Sequence, residues 1–421
     1  MGSEQILSLE SIIKKGKISD EYFIDKKKDY YIKNPLSLQL KTKLNFENIK
    51  KENAYYPPFI NFIHHLKDNN IGIIIDGGYL SIYSPKTFKL IYKIQPPKDI
   101  LVINKDYSSR ILGFIEIKNN DLFLWTSRII LIYKKLENTY KLLQTINEFE
   151  QGTNCIKRID YYDDDDYYYY EEIEKNKKEI YCYELNSLYE LRNEIIVSCN
   201  SYGLKFYYKK NGEYILISKK QISYTVENVL EIKSNILILF KKDSKTYESE
   251  DTLPPTSSTT NYYKITIYDI EKDEEKLLIE SEEYFSTFSR NYFRVNSKIN
   301  YFIKNKYLFI RYPGKLNIYD LSQNIKCIFD DKQTYHTKKS IFGEQNVFKN
   351  EMEIKFLCNY FNNLFIVKDL VNEKIKLYQF KDEKLIYFND FPAQGFNEIF
   401  KLKDNTFLLK FEHKIEIWEI K

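Results

Sequence analysis

Seven times along the chain the sequence writes the same tetrad: apolar, any residue, apolar, aromatic. The copies are Leu80-Ser81-Ile82-Tyr83, Ile130-Leu131-Ile132-Tyr133, Leu204-Lys205-Phe206-Tyr207, Ile265-Thr266-Ile267-Tyr268, Leu316-Asn317-Ile318-Tyr319, Ile375-Lys376-Leu377-Tyr378 and Ile415-Glu416-Ile417-Trp418. Alternation with period two puts the first and third residues on one face of a strand and the aromatic on the other, so each such strand needs cover on both sides.

The aromatic positions are spaced by 50, 74, 61, 51, 59 and 40 residues. A recurring interval of this size marks repeats stacked into an array. Each tetrad keeps a constant neighbourhood. Two apolar stretches separated by a polar turn precede it, as in Phe114 to Lys118, Asn119-Asn120-Asp121 and Leu122 to Trp125; the same turn grammar reads at Lys304-Asn305-Lys306, Phe361-Asn362-Asn363 and Lys403-Asp404-Asn405. A fourth strand begins seven to nine residues beyond the aromatic, at Leu90, Leu142, Ile215, Leu277, Cys327 and Leu385. Four short strands per unit, seven units over, predict an all-β fold: a seven-bladed β-propeller with four-stranded antiparallel blades.

The last unit is incomplete, because only three residues follow Trp418. An unfilled outer position would leave an exposed, unpaired edge. The alternating stretch Leu36 to Leu44 is the expected donor, pairing beside the C-terminal strand and closing the ring.

Ile195 to Tyr207 resembles the central strands of a WD repeat, and Tyr268-Asp269 and Tyr319-Asp320 sit where that family places its Trp-Asp pair. The resemblance covers roughly residues 36 to 421. It departs from the family in lacking the Gly-His pair and in having Trp at one of the seven positions. A degenerate WD40-like β-propeller is implied, without the His, Asp and Trp network of regular repeats.

The 64 basic and 60 acidic residues leave a formal charge of +4, which argues against a dedicated nucleic-acid binder. Cys155, Cys182, Cys199, Cys327 and Cys358 are odd in number and form no Cys-x-x-Cys pair, the usage of a reducing, intracellular compartment, cytoplasmic or nuclear. No apolar run is long enough for a membrane span, and the N-terminus lacks the apolar core of a signal peptide.

Residues 1–35 read as an N-terminal extension, with a short amphipathic helix over Glu4 to Lys15 carrying Ile6, Leu9, Ile12 and Ile13. Residues 36–421 read as the propeller, interrupted by low-complexity loops at about 160–178 and 243–261. The first holds eight carboxylates and six tyrosines between Asp160 and Glu174, too much like charge for a buried strand. The second, Thr246 to Asn261, contains Pro254-Pro255 in a hydroxyl-rich run and reads as an excursion between the second and third strands of its unit. Residues Lys332 to Lys349 read as a connector holding His336.

No catalytic, cofactor-binding or metal-ligating set is legible. His64 and His65 point to opposite faces of a strand, the wrong geometry for one metal, and His413 reads as a turn residue. No nucleophile-elbow pattern surrounds any Ser. The composition therefore points to a non-catalytic scaffold or complex subunit binding other proteins or peptides through propeller loops, such as a substrate receptor of a ubiquitin ligase. The alternative is a glycan or peptide hydrolase gathering acids around a central channel, which would need carboxylates with raised pKa values there.

Overall fold

The computed structural model describes residues 38–45, 60–97, 110–148, 185–249, 256–286, 300–332, 335–348, 358–359 and 364–420, apart from short breaks. The predicted helix in residues 1–35, the acidic tract at 160–178 and His413 lie outside them.

Seven four-stranded sheets and one two-stranded sheet are present among the described residues. Within a sheet, consecutive strands pair antiparallel. First strands of neighbouring sheets approach one another, as Ile60–His65 does Gly113–Glu116, and Leu185–Glu190 does Thr225–Lys233. The first strand of each sheet is therefore innermost and the fourth outermost.

The tetrads behave as their alternation requires. Ile130 and Ile132 enter the core shared with the following sheet, while Tyr133 enters the core shared with the preceding one. Leu204 and Phe206 separate from Tyr207 in the same sense, as do Ile415 and Ile417 from Trp418. Each core is thus built from two sheets, and the hydrophobic driving force joins neighbours around the axis.

The blade count expected from the sequence is corrected by these cores. Among the described residues, five four-stranded antiparallel blades are sandwiched on both faces: those at 60–94, 113–147, 185–221 and 225–286, and the one formed by 398–420 with Leu38–Asn45. The four-stranded sheets at 300–332 and 358–392 each carry a described core on one face, against the fourth sheet and the last respectively. Between those two in the chain stands the two-stranded sheet, Tyr335–Ser340 with Gly343–Phe348, where a connector was expected; His336 lies on its first strand. The tetrad reports a strand fit to be covered on both faces, and counting tetrads does not count the cover. The first strand of the sheet at 358–392 is also only Cys358–Asn359.

Closure follows the sequence reading. Leu38–Asn45 pairs antiparallel with Lys414–Ile420, Leu40 opposite Trp418 and Leu44 opposite Ile415. A shared irregularity runs around the outer strands. In five sheets the outer strand slips by one residue at the step from the third tetrad position to the aromatic, at 82/83, 132/133, 206/207, 318/319 and 377/378. The borrowed strand slips at the same step, between Ile417 and Trp418, leaving Lys41 as the extra residue. In the fourth sheet the slip falls earlier, at 265/266. Such bulges sharpen local twist.

The hydroxyl-rich stretch expected as a loop extends a ribbon. Ile236–Ser249 and Thr256–Asp269 are 14 residues each and pair from Ile236 opposite Asp269 to Ser249 opposite Thr256. Threonine favours extended backbone, and here Thr246 faces Thr259 across the pair. Pro254 and Pro255 fall in the connection, outside the described residues.

Candidate interaction surfaces

One end of the ring is formed by the turns between first and second strands, and a repeated bond organises it. The backbone N–H of Lys67 donates to Glu116 Oε2 at 2.6 Å. The N–H of Lys118 donates to both carboxylate oxygens of Glu190 at 2.9 Å, and that of Arg192 to Glu231 Oε2 at 2.7 Å. In each case a turn of one sheet is tied to the innermost strand of the next. The carboxylates occupy one register position: Glu116 is opposite Leu122, which is opposite Tyr133, and Glu190 and Glu231 repeat this with Tyr207 and Tyr268. In the other sheets that position holds His65, Ile303, Asn359 and Lys401.

These ties were missed in the sequence, although a signal exists: Glu116-Ile117-Lys118, Glu190-Leu191-Arg192 and Glu231-Ile232-Lys233 are three copies of Glu, apolar, basic. In the first two copies the basic residue brings its positive charge to the carboxylate of the following seam, Lys118 to Glu190 and Arg192 to Glu231. Burial raises the pKa of Glu190, against the lowering effect of the Lys118 N–H and charge. Burial likewise raises Glu231, opposed by the N–H and guanidinium of Arg192. Lys118 Nζ also donates to the carbonyls of Leu191 and Arg192, binding one turn to the next.

Further polar contacts cross the second and third sheets. Tyr214 donates its hydroxyl hydrogen to Asp121 Oδ2 at 2.8 Å, Lys209 pairs with the same oxygen, and Asn119 Nδ2 donates to the Tyr214 oxygen at 2.8 Å. Lys205 pairs with Glu148 Oε2 at 2.7 Å, and Tyr207 donates to Glu148 Oε1 at 2.8 Å. The Lys205 and Glu148 side chains are buried together, the condition under which breaking a pair is costly.

Aromatic rings close around the innermost strand of the first sheet. His64 lies 6.2 Å from the Phe62 ring and 6.0 Å from that of Phe114. His64 keeps surface exposed to solvent, yet the protein packed around the imidazole desolvates it and, with the His65 charge beside it, lowers its pKa to about 4. No group of three or more His, Cys, Asp or Glu side chains is placed to hold a metal among the described residues.

The aspartates at the Trp-Asp positions cap local turns. Asp269 Oδ1 accepts from the N–H of Glu271 at 3.0 Å and of Lys272 at 3.1 Å. Asp320 Oδ1 accepts from the Ser322 N–H at 2.9 Å and its hydroxyl at 2.6 Å, while Lys306 Nζ donates to Oδ2 at 2.7 Å. Burial would raise the Asp320 carboxyl, but these donors outweigh it and hold the pKa below the usual range.

The opposite end of the ring carries the long ribbon. The innermost strand of the fourth sheet pairs with its neighbour no further than Thr225 opposite Lys242. The seven residues 243–249 therefore run on beyond it, roughly 23 Å at the usual rise per residue. On the rim, large apolar side chains stand opposite the tetrad aromatics: Leu90 opposite Tyr83, Leu216 opposite Tyr207, Tyr387 opposite Tyr378 and Leu40 opposite Trp418, all exposed.

No family model and no curated protein sequence matches the chain. Solved structures do. The chain is similar to the WD40 repeats of RRP9 at a TM-score of 0.53 and 10% identity, over 91% of this chain and 100% of that one. It is similar to a chain of the Mitotic Checkpoint Complex at 0.52 and 8%, over 95% and 99%, and to the Pan2 WD40 domain of Neurospora crassa at 0.51 and 9%, over 91% and 95%. At these identities the likeness is one of fold: a β-propeller of the WD40 type.

Proposed function

We propose that this WD40-type propeller is a non-catalytic platform for protein–protein interaction, a scaffold or a subunit of a larger assembly that holds proteins or peptides by its turns and connectors. The observation that supports this reading most is the use of the inner carboxylates. Glu190 and Glu231, whose raised pKa values are what an acid–base site in the channel would need, each accept a backbone N–H from the neighbouring sheet. Their perturbation is explained by seam building, which removes the ground for the hydrolase reading. Recognition is left to the turns, connectors and ribbon, where sequence is free to vary.

An intracellular setting, in the cytoplasm or nucleus, goes with this reading. In support, neither Cys199 nor Cys327 forms a disulfide, and burial pushes the Cys199 thiol up to about 12, so it is inert as a nucleophile. No helix among the described residues is long and apolar enough to cross a membrane.

The test is affinity purification of the tagged full chain from its native cells. A reproducible set of co-purifying proteins at fixed ratios is expected. A chain recovered alone, with hydrolytic turnover that is lost in a Glu190→Gln, Glu231→Gln variant, would reverse the assignment.

A further inference from the structure

Among the described residues, the outer strand of the last blade is the one sheet position filled from a distant part of the chain, and several observations make that strand separable from the ring. Gln39, Leu40, Lys41 and Lys43 are exposed, with Leu40 at 45%; Thr42 and Leu44 are half-buried, and no described residue of the strand is buried. Leu44 touches only the margin of the core between the last and first sheets, whose body is Ile60, Ile63, Ile73 and Ile75 against Leu408 and Ile417. That core joins the two sheets without the strand. The Lys41–Glu419 ion pair, at 2.9 Å, joins an exposed lysine to a half-buried glutamate at the surface, and surface pairs contribute about 0–1 kcal/mol.

The tether is also long. Residues 46–59 separate Asn45 from Ile60, and 14 residues can span up to roughly 46 Å when extended. The strand can leave Lys414–Ile420 and reach past its own rim. Once it leaves, the seven-residue edge with its bulge at 417/418 stands unpaired, with a register already suited to one sequence. Every copy of the chain carries that sequence.

We infer that Lys414–Ile420 is a strand-acceptor site, and that its occupant in trans is Leu38–Asn45 of a second copy, giving a dimer by reciprocal strand exchange. Such an interface is isologous and closes with two-fold symmetry. It adds no new contact type, since each acceptor makes the same pairing as within one chain. Linkage through these 14 residues holds its own strand at an effective concentration on the order of millimolar. Exchange is thus favoured by concentrated protein, by high local concentration in an assembly, or by shortening the tether.

The experiment uses full-length chains carrying two different affinity tags, mixed at high concentration and then diluted for capture. Mixed-tag dimers are expected, and deleting residues 50–57 from the tether is expected to raise their fraction at least tenfold. A synthetic peptide spanning residues 36–47 is expected to compete and return the sample to monomer. Failure of the tether deletion to change oligomeric state overturns the inference. Dimers that persist undiminished in excess peptide overturn it as well, since they would use another surface. Should the deletion variant not fold, binding of labelled peptide to the intact chain decides the matter. Binding that weakens when Lys41 in the peptide is replaced by Glu supports the site, and no binding refutes it.

Discussion

Gly72 shows how closely neighbouring sheets approach. A Cβ built there would lie 2.2 Å from Phe114 Cζ, and Phe114 is buried in the core between the first two sheets. Gly113 is crowded within its own sheet, where a Cβ would lie 2.2 Å from the ring of Trp125, its partner on the adjacent strand. Gly72→Ala is expected to destabilise the chain by about 1–3 kcal/mol, the usual cost of overpacking, measured by urea unfolding; unchanged stability would mean that the Phe114 ring moves freely. His64 makes a pH-dependent counterpart. Its unfolded imidazole titrates near 6.5 and its folded one near 4, so between those values the unfolded chain takes up a proton that the folded chain refuses. Stability is therefore lost as pH falls through that window, and His64→Gln is expected to flatten the decline in thermal midpoint from pH 6.5 to pH 4. Neither effect was legible in the sequence. Gly72 reads there as an ordinary strand residue, and which ring meets it is decided by a neighbour forty positions away.

At the scale of strands, the legible part was what alternation controls. The tetrads, the four-strand grammar and the borrowed outer strand all follow from period-two patterning, which burial on two faces imposes directly. The seams were not legible because their bonds join a backbone N–H, which no residue type announces, to a glutamate tens of positions on. Glu231→Ala is expected to cost about 1–3 kcal/mol by leaving the Arg192 N–H without its acceptor. Glu231→Gln keeps a side-chain oxygen and should stay close to the parent. Hydrogen exchange at the Arg192 amide is the discriminating measurement: faster in the Ala variant alone if the tie is real, unaltered in both if it is not. Because the Glu231 pKa is raised, its charge is a burden relieved as pH falls, so any advantage of Gln over Glu should shrink in acid. The far part of the ribbon, expected as a loop over 243–261, differs from that expectation for a related reason. Hydroxyl residues with two prolines look like loop, yet Thr and Ser pair well once an adjoining core has fixed the register.

For the whole molecule, the count of tetrads did not equal the count of fully sandwiched blades, because cover is a property of neighbours and not of the repeat. The ring is consequently uneven: a run of five blades with cores on both faces, and a sector between 300 and 392 with described cores only at its outer margins. Replacing residues 246–259 by a two-residue turn is expected to leave the thermal midpoint nearly unchanged, since the ribbon there runs past the innermost strand and the cores. The same variant should lose a subset of co-purifying proteins, and retention of the full set would show that the ribbon takes no part in assembly. A wheel whose spokes are all alike offers no way to tell one bearing from another. The tall spoke at 225–286 supplies a keel, so that anything settling on that side meets the disc at one angle of rotation and no other.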